Sequence, residues 1–197
     1  MKKVYYNWNH IEGACLELAK QINNSGWRPD YIVGITRGGA IPAVLLSQYL
    51  EIPMRPLEVS LRDGGQAVSD LAMAEDAFGY NTERYVEDEN DVGGVLEAAS
   101  DLLEQGESYK NILIVDDIND TGATFNWIKK DWRSGCLSND PSWDNDIWHC
   151  NVKFAVITNN LASNADVDFY AYEVNKAEED CWLVYPWEEF WKNDNRS

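Results

Sequence analysis

Positive charge is scarce in this sequence: 16 Lys and Arg stand against 34 Asp and Glu, for a net charge of −18. A surface this acidic repels nucleic acid and anionic membranes, so neither is an expected partner. It also repels phosphate compounds, so any phosphate site has to be made locally, from backbone amides, a few placed cations and a bound metal. Histidine is scarcer still, with only His10 and His149. The four cysteines, Cys15, Cys136, Cys150 and Cys181, include no C-x-x-C pair. Reduced structural thiols are therefore expected, and His149-Cys150 alone is a poor basis for a metal site. Apolar runs are short, far below the ~20 residues of a membrane-spanning helix. The opening Met1–Trp8 has no apolar stretch of the signal-peptide kind. A soluble, cytoplasmic protein is the expectation. The G-x-x-x-x-G-K-[ST] pattern is absent, which excludes a Walker phosphate loop.

What is present suits one domain with a sizeable core: 197 residues, 45% of them hydrophobic and 12% aromatic. Ile11, Cys15, Leu16, Leu18, Ala19 and Ile22 have helical spacing over 9–25, and Gly26 and Pro29 end the segment. Tyr31–Ile35 reads as a buried strand, Ala40–Leu50 as a helix with Pro42 in its first turn, and Pro53–Val59 as a second strand. From Ser60 to about Asp91 the apolar runs stop and acidic residues accumulate around Gly64-Gly65. Such a long connection is read as functional or irregular. A helix is expected over Val92–Leu103, a third strand over Asn111–Val115, and a helix from Ala123 to about Trp132. Residues 133–150 read as a second irregular stretch. Lys153–Thr158 and Val167–Val174 read as two more strands, and the tail from Cys181 to Trp191 is strongly aromatic. Strands alternating with helices predict an α/β fold, mainly a parallel sheet with helices on both faces.

Two glycine turns carry the chemistry, because ligands of open α/β sheets bind beyond the carboxyl ends of the strands. In the second, an apolar strand runs into Asp116-Asp117 and then into Asp120-Thr121-Gly122-Ala123-Thr124 ahead of a helix. Those last five residues offer backbone amides, two hydroxyls and a helix N-terminus, which together make a phosphate cradle. The paired carboxylates upstream would repel a bare phosphate. They suit vicinal hydroxyls, or a magnesium ion shared with the ligand. A helix cap accounts for Asp120 and Thr121, but not for two adjacent carboxylates ending an apolar strand. In the first turn, Gly34-Ile35-Thr36-Arg37-Gly38-Gly39, glycines let a ligand approach the backbone and Arg37 offers a forked donor.

Together the turns resemble the type I phosphoribosyltransferases, above all the xanthine-guanine and hypoxanthine enzymes of prokaryotes. Asp116–Thr124 matches the family signature for phosphoribosyl pyrophosphate (PRPP). Ile32–Pro53 resembles the pyrophosphate-loop region, and Asn7-Trp8 with the helix after it resembles the family's opening. Trp182-Leu183-Val184-Tyr185-Pro186-Trp187-Glu188 looks like the hood segment W-[IV]-x-x-P-W-[DE] of the purine enzymes. The resemblance implies a single phosphoribosyltransferase domain over 1–197. Its hood would come from about 1–10 and 175–197, with divergent insertions at about 64–108 and 133–150.

It implies roles as well. Asp116 and Asp117 would hold the ribose hydroxyls, with Asp117 also near magnesium (Mg2+). Thr121, Gly122, Ala123 and Thr124 would hold the 5′-phosphate, and Arg37 and Gly38 the pyrophosphate, with the peptide entering Arg37 often cis. Asp120 would be catalytic, facing N7 of a purine and helping to move its proton. Trp182 would stack on the base, and the backbone of Leu183 would bond its edge. Arg62, in the stretch expected to cover the substrate, is a candidate phosphate contact. One position departs from the pattern. Where the purine enzymes carry a lysine that meets the 6-oxo group, this chain has Asn160, a candidate base-binding residue whose amide would donate to the base without charge and can also accept. The expected activity is transfer of the 5-phosphoribosyl group from PRPP to a nucleobase, with the purines guanine, xanthine and hypoxanthine as the expected acceptors, in a homo-oligomer. The same residues also fit a phosphoribosyltransferase for adenine or a pyrimidine, and a non-catalytic regulatory protein that senses PRPP.

Overall fold

The computed structural model describes residues 2–59, 61, 67–79 and 109–188. The expected helix over Val92–Leu103, Arg62, Gly64-Gly65 and Trp191 lie outside them. The order is β1 (Lys2–Tyr5), α1 (Trp8–Asn24), β2 (Tyr31–Thr36), α2 (Ala40–Leu50), β3 (Met54–Glu58), α3 (Leu71–Phe78), β4 (Ile112–Asn119), α4 (Ala123–Gly135), a π-helical turn (Trp143–Ile147), β5 (Val152–Asn160), β6 (Phe169–Val174) and β7 (Cys181–Val184). β2–β6 form a five-stranded, all-parallel sheet in the order β3-β2-β4-β5-β6.

Alternation along the strands divides the core between the two faces of this sheet. Ile32, Leu113, Val115 and Ala155 pack with Leu18 and Ile22 of α1 and with Ala43, Leu46 and Leu50 of α2. Val33, Ile35, Ile112, Ile114 and Phe154 face the other way, onto Met73, Ala74 and Ala77 of α3 and Phe125, Ile128 and Trp132 of α4. The chain therefore leaves β2 for one face and β4 for the other. The strand order reverses between these two central strands, which opens a crevice at their carboxyl ends.

α1 starts with a capping box. The Asn7 side chain accepts from the His10 amide (3.0 Å), and His10 Nδ1 accepts from the Asn7 amide (3.1 Å). β1 and β7 form a separate two-stranded parallel sheet, the hood expected from the chain ends. An aromatic stack ties this hood to the body. Tyr6 lies between Tyr172 (5.4 Å) and Tyr185 (5.3 Å), and Tyr185 in turn stacks on Trp187 (5.0 Å).

Three expectations need correction. β4 does not stop at Val115 but continues to Asn119, because β5 keeps pairing with it as far as Asn119↔Asn159. Asp116 and Asp117 therefore belong to the strand. The stretch after Ser60 is not irregular throughout, since it contains α3. Asp70 caps this helix by accepting from the Met73 amide, and Gly79 closes it at φ 75°. Its buried positions are mostly alanines, which give only a faint apolar period. Residues 133–150 are not irregular throughout either, since α4 runs to Gly135 and a π-helical turn spans Trp143–Ile147. Trp143 and Ile147 are fully buried in the α3/α4 core, and Trp143 stacks on Trp148 at 5.1 Å.

Candidate active site at the sheet crevice

The crevice is built by close approach of the two glycine turns. β2 pairs with β4 only as far as Gly34↔Val115. Beyond that point the backbone of the first turn fills the gap. A Cβ on Gly39 would strike the Val115 carbonyl and lie 2.6 Å from Asp116 Cα, and one on Gly38 would collide with the Asp117 carboxylate. At Gly39, where every obstacle is backbone, space alone requires glycine, and the acidic pair of β4 sits directly against the Arg37-Gly38-Gly39 turn. Arg37 is exposed at that turn, and the Thr36–Arg37 peptide is cis, as the family resemblance implied.

Each turn leads into a helix whose N-cap residue is a glycine, with no side chain of its own to cap the first turn. Gly39 caps α2 and Gly122 caps α4, neither with a side-chain hydrogen bond. The first amides of such helices have no partner within the helix and carry the positive end of its dipole. Gly122 is at φ 84°, a left-handed conformation that suits glycine. A side chain there would also meet the Ala165 amide nitrogen at 2.6 Å.

The loop after β5 braces the second turn from beneath. The buried Asn119 side chain donates to Asn159 Oδ1 (2.8 Å) and to the Ala165 carbonyl (2.7 Å), and it accepts from Ser163 Oγ (2.7 Å). The Asn164 amide donates to the Thr121 carbonyl at 3.2 Å. Thr121 Oγ1 accepts from the Ala123 amide at 3.3 Å. A fixed framework thus holds the amides of Gly122–Thr124 before any ligand arrives.

On the opposite side of the crevice the structure departs most from the sequence reading. Asn160 is buried, at 6% exposure. Its amide nitrogen donates to the Asp120 carbonyl at 2.8 Å, and its amide oxygen accepts from the backbone of Ala162 (3.2 Å) and Lys176 (3.0 Å). The side chain expected to meet the base is therefore occupied with backbone. Lys176, which no sequence pattern singles out, places its Nζ 2.8 Å from Asp120 Oδ1. Lys153, at the start of β5, lies instead over the rings of Trp27 and Phe169.

Tyr185 was missed as well. Its hydroxyl donates to the Asp117 carbonyl (3.0 Å) and lies 3.1 Å from Thr158 Oγ1, so the hood is fastened to the acidic strand. Burial, reinforced by the Asp117 charge, raises the Tyr185 hydroxyl well above its ordinary pKa and keeps it a donor. In β7, Trp182 is 43% exposed between the buried Cys181 and Leu183. β7 pairs only with β1 among the described residues, which leaves one backbone edge open. His149 has both ring nitrogens engaged, with Asp168 at 3.1 Å and Lys129 at 3.0 Å. Among the described residues no helix is long and apolar enough to cross a membrane.

A phosphoribosyl transferase domain model matches residues 2–190. The chain belongs to the phosphoribosyl transferase family. It is 27% identical to a hypoxanthine-guanine phosphoribosyltransferase of Schizosaccharomyces pombe over 94% of this chain and 89% of that one. It is 24% identical to xanthine phosphoribosyltransferase 1 of Saccharomyces cerevisiae over 95% and 90%. A solved purine phosphoribosyltransferase from Pyrococcus horikoshii superposes with a TM-score of 0.59 at 25% identity, with 96% of each chain covered. The fold of this family is the one described above.

Proposed function

We propose that this chain is a purine phosphoribosyltransferase that transfers the 5-phosphoribosyl group of PRPP to guanine, xanthine or hypoxanthine and releases pyrophosphate. One observation carries the reading. Two helix N-termini with glycine at the N-cap, those of α2 and α4, open on one crevice, with the carboxylates of β4 between the turns that lead to them. PRPP has the matching order of groups: an anionic phosphate at one end, a dihydroxylated ribose, and an anionic pyrophosphate at the other. The amides and hydroxyls of Thr121–Thr124 hold the 5′-phosphate, Asp116 and Asp117 the ribose hydroxyls, and Arg37 and Gly38 the pyrophosphate.

Magnesium fits this donor set, which is made of oxygens. Asp117, packed against the pyrophosphate turn, would hold it together with ligand oxygens, and it would neutralise charge on the leaving group. The chain's own residues do the rest. As the bond from C1 to pyrophosphate breaks, the guanidinium of Arg37 meets the growing negative charge. A base nitrogen forms the new bond to C1, while Asp120 at N7 assists the movement of the base's proton. Trp182 stacks on the base, and the open edge of β7 at Leu183 bonds its rim.

The test is a panel of guanine, hypoxanthine, xanthine, adenine, uracil and orotate with PRPP, read by pyrophosphate release. Turnover of the 6-oxopurines is expected. Turnover of adenine or a pyrimidine alone would move the enzyme to a different acceptor. Calorimetric binding of PRPP without turnover of any base would mark a sensor instead.

A further inference from the structure

We infer that Lys176, which enters the crevice from the segment after β6, reads the 6-oxo group of the purine. This assignment rests on the purine reading above. It starts from the way one lysine is held. Lys176 is tied at both ends: its backbone amide donates to Asn160 Oδ1 (3.0 Å) and its Nζ sits on Asp120 Oδ1 (2.8 Å). Asn160 Nδ2 closes the ring by donating to the Asp120 carbonyl (2.8 Å). Asn160 thus fixes the catalytic turn and the lysine relative to each other.

As a stabilising device this arrangement is poor value. The two side chains retain 20% and 28% of their exposure, and a partly solvated ion pair contributes little against the entropy of ordering a four-carbon stem. As a recognition device it is apt. On a 6-oxopurine, N7 and O6 lie side by side on one edge. A carboxylate that meets N7 therefore leaves an ammonium beside it facing O6. O6 is an acceptor, and a lysine ammonium has three protons to donate, so it can keep Asp120 and serve O6 together. A 6-aminopurine turns N–H groups toward the same ammonium, which has no lone pair to accept them. The site then discriminates against adenine by leaving donors facing each other, the kind of mismatch that gives strong selectivity.

The position of Lys176 also explains why Asn160 need not be basic. The cation comes from the neighbouring strand's end, and Asn160 orients it through the backbone. Lys176 is a specificity-determining residue, and Asn160 is a positioning residue.

The experiment compares wild type, Lys176→Met and Lys176→Arg with hypoxanthine, guanine and adenine at saturating PRPP, alongside calorimetric PRPP binding. For Lys176→Met, KM for the 6-oxopurines should rise. Their kcat/KM should fall roughly 10–10²-fold, the worth of one hydrogen bond to a charged group. PRPP affinity should stay unchanged, the preference over adenine should shrink, and Lys176→Arg should keep part of it. Wild-type-like use of 6-oxopurines by Lys176→Met overturns the assignment. So does an equal loss for every base, or a parallel loss of PRPP binding, either of which would make Lys176 a tether of Asp120. These outcomes leave the purine reading intact. A wild type that turns over no 6-oxopurine overturns both.

Discussion

On the proposed function, the sugar-donor side and the base side of the crevice are built by opposite means. The donor side is local: Asp116–Thr124 supplies carboxylates, hydroxyls, amides and a helix start within one strand-to-helix turn, and the Arg37-Gly38-Gly39 turn packs straight onto it. The acceptor side is assembled from distant pieces. Asp120 follows β4, Asn160 ends β5, Lys176 follows β6, and Trp182 lies in the hood. A contiguous site can change only by breaking its motif. A dispersed site can exchange one element's contribution for another's, as the placement of Lys176 illustrates.

Asp120 belongs to both sides and gives the sharpest way to separate them. Asp120→Asn keeps the shape and backbone of the turn but cannot take a proton. Turnover should fall roughly 10²–10⁴-fold, the usual worth of positioned acid–base help, while PRPP binding persists. Single-turnover rates with calorimetry check this, and a rate within a few-fold of wild type would remove Asp120 from the proton's path. The next effect is confined to the donor side. In Gly39→Ala the new methyl group meets the Val115 carbonyl and Asp116 Cα, both of them backbone and unable to rotate away. The two turns must separate, and kcat/KM for PRPP should drop on the order of 10²-fold, as it does when reacting groups are displaced by about 1 Å. The ranking of bases should be unaffected. A changed ranking would mean that the two sides are not independent.

This contrast also explains what was legible in the sequence. α2 reads directly from Ala40–Leu50, since an apolar run between a glycine turn and a left-handed Glu51 leaves little freedom. The donor side reads equally well because its chemistry is contiguous. β1 was invisible because Lys2–Tyr5 buries almost nothing and exists only by pairing with β7. α3 was obscured by its short side chains, although Asp70 and Gly79 are ordinary start and stop signals. Trp143 and Trp148 sit among Ser, Asn and Asp, so no periodicity marks them as core. Lys176 lies in an exposed-looking acidic stretch, and only the β5–β6 pairing brings it to Asp120. Asn160 stands where the family resemblance places a base-contacting lysine, but its partners are the backbone groups that the fold delivers there.

The smallest effect concerns the fastening between hood and donor strand. Tyr185→Phe removes the one hydroxyl that donates to the Asp117 carbonyl and leaves the aromatic stack with Tyr6 and Trp187 in place. Losing a buried hydrogen bond of this kind should cost about 1–2 kcal/mol. The effect should also depend on pH. Because burial raises the folded-state pKa of Tyr185 above its unfolded value, its contribution is complete below the ordinary tyrosine range near 10. It is lost as pH climbs through that range, where the unfolded chain ionises first. Wild type should therefore lose stability between about pH 9 and 11 more steeply than Tyr185→Phe. Thermal melts across that interval read the difference directly. Parallel curves would mean that the Tyr185 hydroxyl is solvated and that the hood is held by ring stacking alone. A steeper wild-type curve, with KM for the base raised in the variant and KM for PRPP unmoved, would place the fastening on the acceptor side of the crevice.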